Sequence, residues 1–530
     1  MSRGQFRSRN TVGETFSFKN NSDSGDTLTV QVSFTSGSDR VHWDWGDGGS
    51  VEADNFTSHI YSDAGTIKTI TMGTNRLSKL SRLVMTGDKI YGHLDMSGWD
   101  NLDTFGVSSS FTNDNFNFTG ITHTYSPQNF VSYDLQRNNM IGNHDMSMFP
   151  NLGGRFQIWS NPNLTGITHT ASTQIFTQYR ADSCNLTGTH DISMLTNLSN
   201  ILRLNDNPNL NKILLTGNNN VFTQFYVQGC DILGNFDLSI FPNIGGAFLA
   251  SFNSSLTGIT HSYSPQVFTQ YDIRSSDITG NHDLSMFPNL GGNIQLSLNS
   301  NLTGVTHTAS TEVIWQYNIS NCDITGNHDL SMFPNLGGPS PGGGFGNFNF
   351  GSNPNLTSIT FPTTVSGGEV GIDIQNCGII GTLDVSMFTN LTDRLRLSNN
   401  SSLRNVLLPN STGTFDNVLT ISGNRAFSFN NCDLGYVNFY PLSGATLNNN
   451  APQGCSIDLS NNSMTSAEVN HILTDFSDIT SNNLSGWSGV TLLDIGGTNA
   501  APDTTSGGYN GIDAINYLTG VTAQWTIVTS

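Results

Sequence analysis

The phrase GNHDLSMFPNLGG occupies residues 280–292 and returns letter for letter at 326–338. Close variants stand at 142–154, 188–200 and 234–246. The glycines that open these five copies, Gly142, Gly188, Gly234, Gly280 and Gly326, are spaced by 46 residues. A second phrase, N-x-N-L-T-G-[IV]-T-H, keeps the same period and places Phe118, Leu164, Leu210, Leu256 and Leu302 at its leucine position. The two phrases interleave, so each period holds two turns of 22–24 residues. A unit this short cannot bury an apolar face alone. Stacking the units buries one continuous core, which predicts a solenoid.

The grammar inside each turn sharpens this. Residues 176–186 read FTQYRADSCNL, residues 268–278 read FTQYDIRSSDI, and residues 202–210 read LRLNDNPNL. They resemble the leucine-rich pattern L-x-x-L-x-L-x-x-[N/C]-x-L over residues 75–460. The resemblance implies a β-rich solenoid with one parallel strand per 22–24 residues. It also implies that Cys184, Cys230, Cys322 and Cys377, with Asn138 and Ser276 at the same position, point inward and bond the backbone of the turn. Parallel strands lie ~4.8 Å apart, so equivalent cysteines two coils apart are too distant for a disulfide. No CxxC pair exists, so no zinc knuckle is expected.

Histidines form two columns, His144, His190, His282, His328 and His123, His169, His261, His307. Neighbours within a column are two coils apart, too far to share a zinc ion. Adjacent His and Asp in extended backbone point to opposite sides, so His-Asp is not a preformed dyad. Residues 92–97 and 381–386 place Leu where four of the copies place His. The phrase therefore reads as a structural turn on the side opposite the strands, with no metal and no cofactor.

The ends differ from the repeat. Residues 1–9 form an arm carrying Arg3, Arg7 and Arg9. Residues 10–74 contain VHWDWGDGGS and SHIYSDAGTIKTITM. Trp43, Trp45, Gly46, Asp47 and Gly48, then His59, Tyr61 and Gly65, resemble the PKD family, with Ile67 where an aromatic is usual. This implies an immunoglobulin-like β-sandwich that acts as a spacer or docking module. Asp44 and Asp47 fit turn chemistry better than a calcium site. Residues 461–530 read as a small α/β cap. In it, TSAEVNHILTD (465–475) opens with a capping box, TLLDIGG (491–497) and QWTIVTS (524–530) are strands, and GIDAINYL (511–518) is a helix. This end resembles those of repeat proteins encoded by tailed bacteriophages and some Bacteroidetes. At 338–346 the insertion GPSPGGGFG predicts an outstanding loop, with Pro339, Pro341 and Phe345 available for contact.

Charge bounds the partners. Only 11% of residues are charged, yet the net charge is −20, which argues against nucleic acid. The N-terminus MSRGQFRSRN has no apolar h-region, and no apolar run is long enough for a membrane span. No G-x-S-x-G, phosphate loop or HExxH is present, and a repeat sets polar groups in ladders rather than in an irregular constellation. A non-enzymatic protein is expected. Between the inward positions, the strands present Gln178, Arg180 and Asp182, then Gln224, Tyr226 and Gln228, then Gln270, Asp272 and Arg274, then Gln316, Asn318 and Ser320, with Trp159 on an alternate strand. Trp159, Arg180, Asp182, Tyr226, Gln228, Asp272, Arg274 and Asn318 are the candidate recognition residues. The expected function is that of a virion surface protein of a tailed phage: a fibre, adhesin or decoration. Its N-terminal region with Arg3, Arg7 and Arg9 would dock on other virion proteins, and the solenoid would face a host glycan or protein. The alternative is a secreted bacterial adhesin.

Overall fold

The computed structural model describes the strands and adjoining residues within 14–123, and residues 125–530 apart from 126, 128, 218, 338–345, 366–369, 390, 411–413, 416–426, 445, 448–454, 488–489 and 521–522. The chain divides into two compact units, Met1–Ile244 and Gly245–Ser530.

The first unit begins with two sheets. Glu14–Ser22 runs antiparallel to Thr66–Thr74, which also pairs with Val41–Asp44, and that strand with Ser50–Ala53. Thr27–Phe34 lies antiparallel between Phe56–Ile60 and Leu80–Gly87. Both sheets grow directly into the repeat. Glu14–Ser22 pairs with Ile90–Asp95, and Leu80–Gly87 with Thr104–Ser108. From there a parallel ladder proceeds through Ser132–Asp134, Gly154–Gln157, Phe176–Arg180, Leu198–Arg203 and Phe222–Tyr226. The principal sheet is therefore mixed, antiparallel at its start and parallel along the coils.

The second unit continues the same grammar. Ile244–Leu249, Phe268–Asp272, Leu290–Gln295, Ile314–Asn318, Gly346–Asn349, Val370–Asp373 and Leu391–Arg396 are parallel neighbours. The ladder then passes through Phe427–Ser428, Cys455–Asp458, Val490–Asp494 and Thr526–Val528. The helix Ser466–Asn482 starts with the capping box of Thr465 and Glu468 and packs against the helix Gly511–Thr519. It extends well beyond the stretch 465–475 because Phe476 and Ile479 keep its apolar face buried.

The GNHD segments are strands, not turns. Gly142–Asp145 pairs with Leu164–Thr168, Thr187–Asp191 with Asn209–Leu214, Thr279–Asp283 with Asn301–Thr306, and Gly326–Asp329 with Leu356–Thr360. These are separate two-stranded sheets on a second face. The phrase on one coil pairs with N-L-T-G-[IV]-T on the next, so the structural repeat is two coils. That is the physical origin of the 46-residue period. The turn comes after the aspartate: Asp145 Oδ1 accepts from Ser147 N at 2.9 Å, and Asp283 and Asp329 do the same for Ser285 and Ser331. The rest of the phrase is equally accounted for. Asn151, Asn289 and Asn335 donate to a carbonyl of the previous coil at 2.6 Å. The last glycine is required by backbone: Gly154 and Gly292 have φ of +63° and +72°, and a Cβ there would strike the carbonyl oxygen of Val131 or Thr269.

Inside, one aromatic or aliphatic residue per coil forms a stack. Phe105, Tyr133, Phe156, Tyr179, Leu202 and Phe225 line the first unit, and Phe248, Tyr271, Ile294, Tyr317 and Phe348 the second, all fully buried. A second ladder closes each turn. Asn161, Asn207, Asn299, Asn353 and Asn400 each donate through Nδ2 to a carbonyl one coil back, at 2.8–3.1 Å. On alternate coils Cys184, Cys230, Cys322, Cys377 and Cys432 make that bond through Sγ at 3.2–3.4 Å. All five thiols are free and buried; the repeat grammar implied this for Cys184, Cys230, Cys322 and Cys377, and Cys432 joins them.

Candidate functional site: a neutral interior and a polar outer face

The two histidine columns meet. Tyr133 Oη lies 2.8 Å from His123 Nε2 and 2.7 Å from His144 Nε2. The same triad recurs as His169–Tyr179–His190, His261–Tyr271–His282 and His307–Tyr317–His328, with every distance 2.8–2.9 Å. Distances within one column hid this encounter from the sequence, because the partners belong to different columns. On the coil between, the three positions are Leu215, Phe225 and Phe236; further on they are Phe361, Ile372 and Leu383. The triad is polar at all three places or apolar at all three.

A tyrosine hydroxyl has one proton, so it donates to one imidazole and accepts from the other. Nδ1 of His123, His169, His261 and His307 is buried without a partner. A bare ring nitrogen costs less there than an orphaned N–H. Those rings therefore carry the proton on Nε2 and donate to tyrosine, which donates to the second histidine. Burial pushes His144, His190, His282 and His328 down to about 4. Burial, then the neighbouring imidazole, holds His123, His169, His261 and His307 well below the usual range. Burial raises the four tyrosines. Each group is neutral at pH 7; His123 and His261 are half-buried, and the other members of the triads are buried. The triads serve the core.

The outer face of the principal sheet carries the candidate recognition residues. In the first unit, register aligns Arg82, Thr104, Ser132, Arg155 and Gln178 in one column, and Gly106, Asp134, Gln157, Arg180, Arg203 and Tyr226 in the next. The candidate residues Trp159, Arg180 and Asp182 are brought together. Arg180 makes two 2.9 Å bonds to Asp182 and lies over Trp159 at 4.7 Å, and Arg137 also lies against the indole, at 4.9 Å. Tyr226 and Gln228 lie two coils on, linked through Arg203, which stacks on Tyr226 at 4.7 Å and donates to Gln224 at 2.6 and 3.1 Å. Burial pushes the Asp134 carboxyl up; its bond from Gln136 N and the Arg155 and Arg180 charges oppose this.

In the second unit, Asp272 is buried and pairs with Arg274 at 3.3 Å, and Arg274 extends over Phe252 at 5.5 Å. Asn318 lies two coils on and donates to Gln295 at 3.1 Å. Phe252 and Leu298 are bulky residues at positive φ, 54% and 53% exposed. Sequence reasoning named neither, nor Arg82, Arg137, Arg155 and Arg203. Following alternate positions on every strand, rather than on the FTQY strands alone, reaches Arg155 and Arg203.

Asp44 is exposed on its strand, whereas Asp47 lies outside the described residues, as do Arg3, Arg7 and Arg9 and the loop residues Pro339, Pro341 and Phe345. Among the described residues there is no group of three or more His, Cys, Asp or Glu that could hold a metal ion, and no helix is long and apolar enough to cross a membrane. In comparisons with known proteins, no family model, no curated protein and no solved structure matches this chain.

Proposed function

We propose that this is a non-catalytic surface protein of a tailed-phage virion, which presents the outer face of a leucine-rich-type solenoid to a host glycan or protein. In this reading residues 10–74 are a PKD-like docking module, and the N-terminal region with Arg3, Arg7 and Arg9 contacts other virion proteins. The observation that carries the reading is the partition of chemistry. Four tyrosines and eight histidines are locked into neutral triads inside, while the polar side chains of the outer face run in columns whose identity changes from coil to coil. Columns of this kind suit recognition better than the irregular constellation of a reaction centre.

Removing residues 1–74 is a poor test, because it strips strands paired with Leu80–Gly87 and Ile90–Asp95 and opens two sheet edges. Replacing Arg3, Arg7 and Arg9 with Gln in the full chain avoids this. Mass spectrometry of purified particles should find the wild-type chain and much less of the variant. Particles that lack the wild-type chain would overturn the virion assignment, and recovery from the culture medium or cell surface would put the secreted adhesin in its place.

A further inference from the structure

Unmet polar groups collect on one face. In the first unit, among the described residues, seven side chains hold a buried nitrogen or oxygen without a hydrogen-bond partner: Arg82, His123, Asn138, Trp159, His169, Asn205 and Gln228. The two histidines belong to the triads and Asn138 to the turn ladder. The other four, Arg82 Nε, Trp159 Nε1, Asn205 Oδ1 and Gln228 Oε1, all lie on the outer face of the principal sheet. A buried polar atom left unpaired costs about 1–3 kcal/mol, so four on one face call for an explanation. Two are donors and two are acceptors.

The same face departs from the charge of the chain. Among the described residues, its strands and the turns that follow them hold five arginines, Arg82, Arg137, Arg155, Arg180 and Arg203, against three aspartates, Asp134, Asp182 and Asp206, in a protein of net charge −20. Arg180 and Arg203 stand directly opposite each other in adjacent strands. Like charges so placed are destabilising. They are held there by stacking on Trp159 and Tyr226. Near the start of the face, Thr104, Gly106 and Ser132 are small and leave a cavity of about 340 Å³, with Arg82 at one end, Arg155 at the other and Asp134 beside them. That volume lies within the range of small-ligand sites.

We propose that this face binds an acidic polysaccharide, with the carboxylate of one uronic-acid residue seated between Arg82 and Arg155. Guanidinium forks match a carboxylate. Sugar hydroxyls both donate and accept, which fits the mixture of unmet donors and acceptors. A nucleic-acid backbone offers phosphate acceptors alone, and the rings that would stack bases, Trp159 and Tyr226, are already covered by arginines. A neutral glycan would leave the arginine excess uncompensated. The proposal rests on the reading of this face as a presenting surface and names its ligand class.

The test uses the full chain and three carboxylated polysaccharides, polygalacturonate, alginate and hyaluronate, with dextran and a single-stranded DNA oligonucleotide as controls. Two variants are compared: Arg82→Gln with Arg155→Gln, which removes charge, and Ser132→Tyr, which fills the cavity at constant charge. Thermal melting checks that each still folds. The wild-type chain should bind at least one carboxylated polysaccharide, more weakly as salt rises, and should bind dextran and DNA at least tenfold less. Both variants should lose at least tenfold in affinity with melting unchanged. Binding to none of the three, equal binding to DNA, or variants that bind like wild type would overturn the proposal. Competition for particle adsorption separates the two readings. If the wild-type chain competes and the variants compete equally, the acidic-glycan site fails and the presenting face stands. If the wild-type chain does not compete, the presenting face itself fails.

Discussion

At the residue scale, the triads explain why the chain repeats histidine: each pair of rings satisfies one buried tyrosine hydroxyl. Tyr271→Phe removes the hydroxyl that both His261 and His282 bond and leaves two buried ring nitrogens unpaired. It should destabilise by about 1–3 kcal/mol in denaturant unfolding. Tyr271→Phe with His261→Leu and His282→Phe copies the apolar set at Phe225, Leu215 and Phe236 and should recover most of the loss. A triple variant no more stable than the single one would contradict this. The triads also set an acid limit. His144, His190, His282 and His328 sit at about 4 in the fold, against 6.5 for a free histidine. Between these values the unfolded chain binds more protons than the folded one. Stability from the triads is therefore fully present above pH 6.5 and is lost as pH falls towards 4. The unfolding midpoint should drop across that window, less steeply for the triple variant; parallel slopes would show that the triads do not govern it.

At the scale of the element, each coil is closed by a side chain that replaces missing backbone partners. Asn299 donates to Ile273 O and Leu296 O and accepts from Ile278 N. Asn299→Ala should cost at least about 1–3 kcal/mol. Cys322→Ser should cost less, since Ser276 already fills an equivalent place and bonds Ala250 O at 3.5 Å. Equal losses would show the ladder bonds to be incidental. Burial pushes the thiols of Cys184, Cys230 and Cys377 up to about 12 and those of Cys322 and Cys432 to about 11. A thiol reagent at pH 8 should leave these five untouched until denaturant is added, and rapid native labelling would place them wrongly. This ladder was legible in the sequence, because the Asn/Cys position follows the strand at a fixed offset. The strand character of GNHD was not. Its four residues alternate correctly, but a segment opened by glycine and followed by D-x-S reads locally as a turn, and its partner strand lies 22 residues on.

For the whole molecule, periodicity made the solenoid legible. Which exposed residues matter was less legible. Alternation told which side chains face outward, but not that Arg180, Trp159 and Arg137 stack, nor that unmet donors and acceptors gather on one face; those facts depend on register between coils. The molecule divides into a neutral interior and a polar outer face, and the repeated His-Asp phrase belongs to the interior scaffold. Nitrogen-15 spectra of the full chain with labelled histidine test this most directly, since they report protonation and tautomer for each ring. Eight of the twelve histidines, those in the four triads, should remain neutral at pH 6, four protonated on Nε2 and four on Nδ1. Triad histidines that titrate near 6.5 would show them to be open to solvent, and the scaffold assignment would fall.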